Sequence, residues 1–330
     1  MKRFDVTALG ELLIDFTESG LSEQGNPLME ANPGGAPCNV LAMLGKLDKK
    51  TAFIGKVGSD MFGKRLKNVV SSAGIDTSGL VADDTVNTTL AFVHTLEDGD
   101  REFSFYRDPG ADMMLCEDDV DGEIIENSRI FHFGSLSMTN ETCRKATEKA
   151  VSIAKNSGAV ISFDPNLREP LWASLDEAKE RILYGIKQCD ILKISDNEIV
   201  WLTGEEDHFK AAQKLKAEYD IPLLLVSLGK NGSMAFSGSS FAHINGFNVD
   251  TIETTGAGDT FCACILNFVL ENGSRDYSES ELEQMLTFAN AAAAIVTTRK
   301  GALAVMPSRE EIIKLMNGQQ NHGGKHYEQE

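Results

Sequence analysis

A strand–helix alternation through the middle of the chain constrains its fold more than any other feature. Apolar, strand-like runs cover Arg129 to Gly134, Ala159 to Asp164, Asp190 to Ile194 and Leu223 to Leu228. Helical patterns fill the gaps at Asn140 to Ser157, Leu175 to Lys187 and Asp207 to Tyr219. Such runs predict parallel strands joined by right-handed crossovers. The predicted class is α/β, a doubly wound, mainly parallel sheet flanked by helices. Ligands of these sheets sit beyond the carboxyl ends of the strands. Three strand ends carry polar residues there: Asp164-Pro165-Asn166-Leu167-Arg168, Lys193-Ile194-Ser195-Asp196-Asn197-Glu198 and Ser227-Leu228-Gly229-Lys230. Together they describe one shared rim.

Glu253-Thr254-Thr255-Gly256-Ala257-Gly258-Asp259 adds a corner to that rim. It lies between the β-branched stretch Val249 to Ile252 and the apolar helical run Phe261 to Leu270. That order predicts strand, tight turn, helix. A helix N-terminus offers unpaired N–H groups and the positive end of the dipole, which suits a phosphate or a developing anion. Asp259 conflicts with that role, and two readings stay open. It caps or begins the helix, as Asp often does. Or it takes a proton from a hydroxyl that attacks a phosphoryl group held by the turn.

The N-terminal part offers a second glycine corner. Phe4 to Leu9 reads as a strand ending at Gly10, and Asp15 is a carboxylate inside the apolar run that follows. It faces solvent, or it is paired or binds a ligand, because a buried carboxylate is costly otherwise. Gly20 to Asn32 reads as loop or irregular hairpin. In Asn32-Pro33-Gly34-Gly35-Ala36-Pro37-Cys38-Asn39 the two glycines permit close approach of a ligand, and Asn39 projects from the first turn of a helix over Ala36 to Leu47. Thr88 to His94 and Glu102 to Tyr106 read as a hairpin around Glu97-Asp98-Gly99-Asp100. This hairpin interrupts the strand–helix rhythm and is the candidate lid. Arg107, at a strand end, is a surface charge or a grip for an anionic or polyhydroxy ligand.

Further on, Gly232 to Phe236 and Ser240 to Asn248 predict a hairpin, and Glu281 to Thr298 a helix with Asn290 inside an Ala-rich face. The polar tail from Asn317 is expected to be flexible, with no metal role for His322 and His326. The organisation expected is one domain over 1–318, lid segments near 11–31 and 88–109, and a flexible 319–330.

A net charge of −19 disfavours nucleic acid and anionic membranes as partners. Any phosphate site must then be built locally. Met1-Lys2-Arg3-Phe4-Asp5 is not followed by an apolar run, so no secretion signal is expected, and no stretch is long enough for a membrane span. The six cysteines are scattered and lack zinc spacing, which predicts reduced thiols in a cytoplasmic protein.

From end to end, over 4–316, the chain resembles the ribokinase-like family of carbohydrate kinases. Gly34-Gly35-Ala36-Pro37-Cys38-Asn39, continuing to Gly55-Lys56-Val57-Gly58-Ser59-Asp60-Met61-Phe62-Gly63, is similar to the family's first signature. Thr254-Thr255-Gly256-Ala257-Gly258-Asp259 is similar to its second. Tyr106 to Asp112, Phe131 to Leu136 and Asp164 to Trp172 look most like fructokinases.

The resemblance implies phosphorylation of a sugar hydroxyl by ATP, with Mg²⁺ on the phosphates. Asp259 would be the catalytic base, and Gly256, Ala257 and Gly258 the anion hole. Asp15, Gly34, Gly35 and Asn39 would bind sugar hydroxyls, with Arg107 and Arg168 reaching substrate or phosphates. Lys193, Glu198, Ser227, Gly229 and Asn290 would lie along the nucleotide, Glu198 organising Mg²⁺ through water. A β lid shared in a homodimer is also implied.

The sequence departs from the family's pattern in places. Glu253 stands where Asp is usual, at a position that helps form a monovalent-cation site in relatives, which puts K⁺ in question. Ser195 replaces an Asn, leaving Glu198 intact, and Leu41 and Cys264 replace small residues. Fructose is the first acceptor expected, giving fructose 6-phosphate. A 2-keto-3-deoxygluconate kinase is the alternative, and a sugar-binding regulatory protein without turnover a third reading. A nicotinamide-dependent dehydrogenase lacks its Gly-x-Gly-x-x-Gly after the first strand.

Overall fold

The computed structural model describes residues 2–95, 101–273 and 275–320. Its strands are β1 Phe4–Leu9, β2 Leu13–Leu21, β3 Pro27–Gly34, β4 Thr51–Gly58, β5 Asp76–Asp83, β6 Leu90–Thr95, β7 Arg101–Tyr106, β8 Ser128–Gly134, β9 Val160–Asp164, β10 Ile191–Ser195, β11 Leu223–Ser227, β12 Ser233–Ser237 and β13 Ser240–Ile244. Its helices are α1 Ala36–Lys46, α2 Met61–Ser72, α3 Gly122–Glu126, α4 Glu141–Asn156, α5 Leu175–Gln188, α6 Asp196–Thr203, α7 His208–Tyr219, α8 Ala257–Asn272, α9 Glu279–Thr297 and α10 Arg309–Gln320.

Nine strands form the main sheet in the order β13-β12-β11-β10-β9-β8-β1-β4-β5. The run from β11 to β5 is parallel throughout, and the hairpin β12–β13 adds an antiparallel edge. Both faces are covered, as parallel sheets require. In β11, Leu223 and Leu225 enter one core with Leu41 of α1, Phe261 of α8 and Leu286 of α9. Leu224 and Val226 enter the other, with Ala150 of α4, Ile182 of α5 and Leu215 of α7. The expected doubly wound class is the observed one, a ribokinase-like fold. Among the described residues no helix is long and apolar enough to cross a membrane.

Four strands form a second sheet, ordered β3-β2-β6-β7. It gathers the hairpin expected near residue 97 and also the polar Gly20 to Asn32 stretch, where β2 and β3 pair as the irregular hairpin of the two expected forms. Leu13 faces Gly34 and Leu21 faces Pro27, with an irregularity between Glu18 and Leu21. This sheet is largely open to water, so β3 shows no apolar signature. The turn Glu97-Asp98-Gly99-Asp100 and the tail histidines lie outside the described residues.

Two expectations need correction. Val249 to Ile252 forms no strand. Ile252 is 59% exposed, and the amides of Ile252 and Glu253 donate to Thr297 O at the end of α9. The segment is tied to a helix end, so its β-branched residues have no neighbouring strand. Asn317 to Gln320, expected to be flexible, continue α10.

Candidate active site

The first turn of α8 begins the site. Gly256, its N-cap, has φ 79°, a conformation that disfavours a side chain. A Cβ there would also lie 2.8 Å from Ala302 Cβ. The turn brings Asp259 into a cavity of about 370 Å³ lined by both glycine corners.

Asn39 is buried in the first turn of α1, and its Nδ2 donates to Asp259 Oδ2 at 2.8 Å. Burial raises the Asp259 pKa, while the Asn39 hydrogen bond and the charges of Lys193 and Arg168 work against the rise. A carboxylate shifted towards neutral pH is a better proton acceptor than a surface one. Asn39 Oδ1 is buried without a partner among the described residues. An acceptor left open beside a carboxylate fits a hydroxyl donor.

Asp15 comes from β2 on the lid side. Its carboxylate occupies the space that a side chain at Gly34 would need. Burial pushes its pKa up to about 6, with Arg168 opposing the shift and Glu253 adding to it. Gly34→Ala is therefore expected to displace Asp15 and raise the KM of the one substrate that meets this corner about 10- to 100-fold, leaving any other KM near its wild-type value. Steady-state kinetics with each substrate varied in turn checks this.

Lys193 was expected along the nucleotide site and lines this same cavity. It extends from β10 to pair with Asp164 Oδ2 at 2.9 Å. Burial opposes the charge on Lys193, but Asp164 and Glu198 outweigh it and hold the pKa up. The ammonium stands 3.1 Å from where a Cβ on Gly258 would be. A fixed positive charge therefore lies against the helix N-terminus.

Arg168 also lines the cavity, on the loop after β9. Arg107 lines it too, but its guanidinium is engaged. Nε donates to Asp112 Oδ2 at 2.8 Å, Nη1 to Thr139 Oγ1 at 2.9 Å and Nη2 to the Leu136 carbonyl at 3.2 Å.

The remaining expected residues form a neighbouring group outside the cavity lining. Ser227 pairs in register with Ser195 and Ser233. Asn290 Oδ1 accepts from Ser233 Oγ at 2.8 Å, and its Nδ2 donates to the Ile244 carbonyl at 3.1 Å. Gly229 follows β11 with φ 55°. Glu198 Oε2 accepts from Ser195 N and Oγ, each at 2.8 Å, and Oε1 from Leu167 N at 2.7 Å. Glu198 thus caps α6 and holds the loop bearing Arg168. The Ser-x-x-Glu spacing is a capping box legible in the sequence. Among the described residues no group of three or more His, Cys, Asp or Glu could hold a metal ion.

Three carboxylates of the site were absent from the expected set. Asp164 was named only as part of the rim. Glu11 is buried at the end of β1 and lines the cavity. Its signal was a carboxylate directly after the strand's closing glycine. Glu253, noted only as a departure, also lines the cavity. It accepts from Thr255 Oγ1 at 2.6 Å and from Gly301 N at 2.9 Å.

Residues 3–309 match the pfkB family of carbohydrate kinases. The chain belongs to that family. It is a sugar kinase, a phosphotransferase with an alcohol group as acceptor. Probable fructokinase-2 of Arabidopsis thaliana is 41% identical over 313 residues, which cover 94% of this kinase and 95% of the relative. A fructokinase from Xylella fastidiosa, solved with bound ATP, superimposes with a TM-score of 0.86 at 30% identity, over 96% of this kinase and 99% of that chain. A double mutant of the Vibrio cholerae O395 fructokinase, solved with fructose, ADP and potassium ion bound, gives 0.84 at 28% identity, over 96% and 99%.

Proposed function

We propose that this kinase transfers the terminal phosphoryl group of ATP to fructose, giving fructose 6-phosphate and ADP. The observation that carries the reading is Asp259, paired with Asn39 on one side and with the Lys193 ammonium behind its turn. Asp259 takes the proton of the attacking hydroxyl. The turn Gly256-Ala257-Gly258 and Lys193 meet the charge on the transferring group, which needs positioning and neutralisation more than covalent chemistry. Asp15 and the open Asn39 oxygen accept from sugar hydroxyls, and Gly34 and Gly35 let the ring approach the backbone. Ser227, Gly229, Asn290 and Glu198 line the path of the nucleotide. Mg²⁺ would supply charge neutralisation on the phosphates, and Glu198 would help hold it through water. A K⁺ site at Glu253 is not part of the proposal, because Glu253 stands where the family usually has Asp.

Pocket charge favours a neutral acceptor over 2-keto-3-deoxygluconate. Glu11, Asp15, Glu253 and Asp259 line the cavity, and Arg107 is neutralised by Asp112. Arg168 and Lys193 are the other cations lining the cavity among the described residues, and Lys193 is paired with Asp164. The four-stranded sheet is the lid of a single kinase domain, and closing it excludes water that would otherwise accept the phosphate. Leu21, Leu28 and Tyr106 are exposed on that sheet. Leu21 and Leu28 lie near one end of the sheet and Tyr106 near the other, and these apolar side chains are open to a second copy, as in a cytoplasmic homodimer.

ATP turnover across a panel of ketoses, aldoses and keto-deoxy acids tests the substrate. The highest kcat/KM is expected with fructose. Turnover on the keto acid with none on fructose would reject this acceptor and leave the kinase chemistry standing.

A further inference from the structure

Helix α1 carries Asn39, yet nothing on the helix caps its start. Gly35 is the N-cap, with no side-chain hydrogen bond, and the first turn holds no acidic residue. The N–H groups of a first turn need partners from elsewhere. One comes from the end of β1. Glu11 Oε1 accepts from the Ala36 amide at 2.9 Å, across 25 residues of sequence. The same residue meets the corner a second way. Gly35 has φ 131° and lies so close to the Glu11 carbonyl that a side chain at 35 would overlap it. Glu11 thus holds the corner through its backbone and its carboxylate together.

Resting on the reading of Asp259 as base, we propose that Glu11 is a positioning residue that clamps the Gly35–Ala36 corner and thereby fixes Asn39 against Asp259. Asn39 N donates to the Gly35 carbonyl at 3.1 Å, so the orientation of the corner passes directly to the residue that orients the base. Glu11 need not touch either substrate. A displacement of about 1 Å in reacting groups is enough to cost on the order of 100-fold in rate.

The surroundings of Glu11 support a role for its charge. It is 5% exposed, and burial pushes its pKa up to about 7. The groups facing it are Asp112, which adds to the shift, Arg107, which opposes it, and the buried Cys38 thiol on α1. The folded protein therefore holds this proton more tightly than the unfolded chain. Ionised Glu11 costs stability as pH rises from the ordinary value of 4.5 through about 7. A fold that keeps a carboxylate against that cost is gaining something else from it. Ionised, the group makes the stronger, charge-assisted hydrogen bond and complements the helix dipole.

Glu11→Gln and Glu11→Ala separate these effects, with kcat, both KM values and the pH profile of kcat/KM measured on the full chain. Glu11→Ala is expected to lose about 100-fold in kcat with the ATP KM within about twofold of wild type. Glu11→Gln keeps the shape and an acceptor oxygen but not the charge. It is expected to lose less than Glu11→Ala and to lose the inflection near pH 7, leaving the limb set by the base, Asp259. If Glu11→Ala does not fold, the Glu11→Gln profile decides alone. An active wild type whose Glu11→Gln variant keeps both kcat and the inflection overturns the inference and leaves the kinase reading intact. A wild type without turnover on any sugar overturns that reading instead.

Discussion

Asp259→Asn is expected to lower kcat about 10²- to 10⁴-fold, the range for removing a general base from proton transfer. The substitution keeps the size of the side chain and an oxygen that can accept from Asn39 Nδ2, now 2.8 Å away. Sugar and ATP should therefore still bind, with dissociation constants close to wild type. Equilibrium titration together with steady-state kinetics separates the two effects. Turnover within about tenfold of wild type would mean that the proton leaves by another route. Weakened binding at unchanged kcat would mean that Asp259 grips the substrate and does not act on its hydroxyl.

Lys193→Met carries the second large effect. Removing a preorganised charge from the anion corner is expected to cost about 10²- to 10³-fold in kcat. It also leaves Asp164, 3% exposed, buried without its cation. Breaking one side of a buried pair costs about 3–5 kcal/mol, whereas replacing both partners with apolar groups can be nearly neutral. The double variant Lys193→Met with Asp164→Leu should therefore recover most of the lost stability and none of the lost turnover. Denaturant midpoints and kcat, measured on the same preparations, show the split. Recovery of turnover in the double variant would mean that Lys193 serves only to neutralise Asp164.

These predictions rest on contacts of differing legibility in the sequence. The sheet was readable because parallel strands are apolar on both faces and break into polar residues where they meet the ligand side. The rim at Asp164, Lys193, Ser195 and Ser227 followed from that alone. The pairing of Asn39 with Asp259 did not, because 220 residues separate them and neither local pattern mentions the other. What placed both in one site beforehand was family resemblance. Asp15 could be read two ways until the space beside Gly34 was seen to be filled by its carboxylate.

The misreadings have physical causes. Val249 to Ile252 carry strand-like residues, but a strand needs a neighbour, and this segment bonds to the end of α9. Loop and irregular hairpin stayed open for Gly20 to Asn32 because a sheet open to water does not require an apolar face, and the hairpin is the form observed. Arg107 reads as a surface charge or a ligand grip, and a sequence cannot reveal that it also pairs with Asp112 while lining the cavity. The sequence did not show that the Asn290 amide bonds to Ser233 and to the Ile244 carbonyl, because both lie on other elements. Glu11 was passed over because its partner, the Ala36 amide, belongs to the backbone.

A single-turnover experiment tests the central claim most directly. The kinase, in excess, is mixed with fructose and ATP labelled at the terminal phosphate, and the label is followed into products. The account predicts that label passes to C6 of fructose in step with ADP formation, and that Asp259→Asn slows this transfer without slowing ATP binding. Label released as inorganic phosphate at the same rate with and without fructose would contradict it.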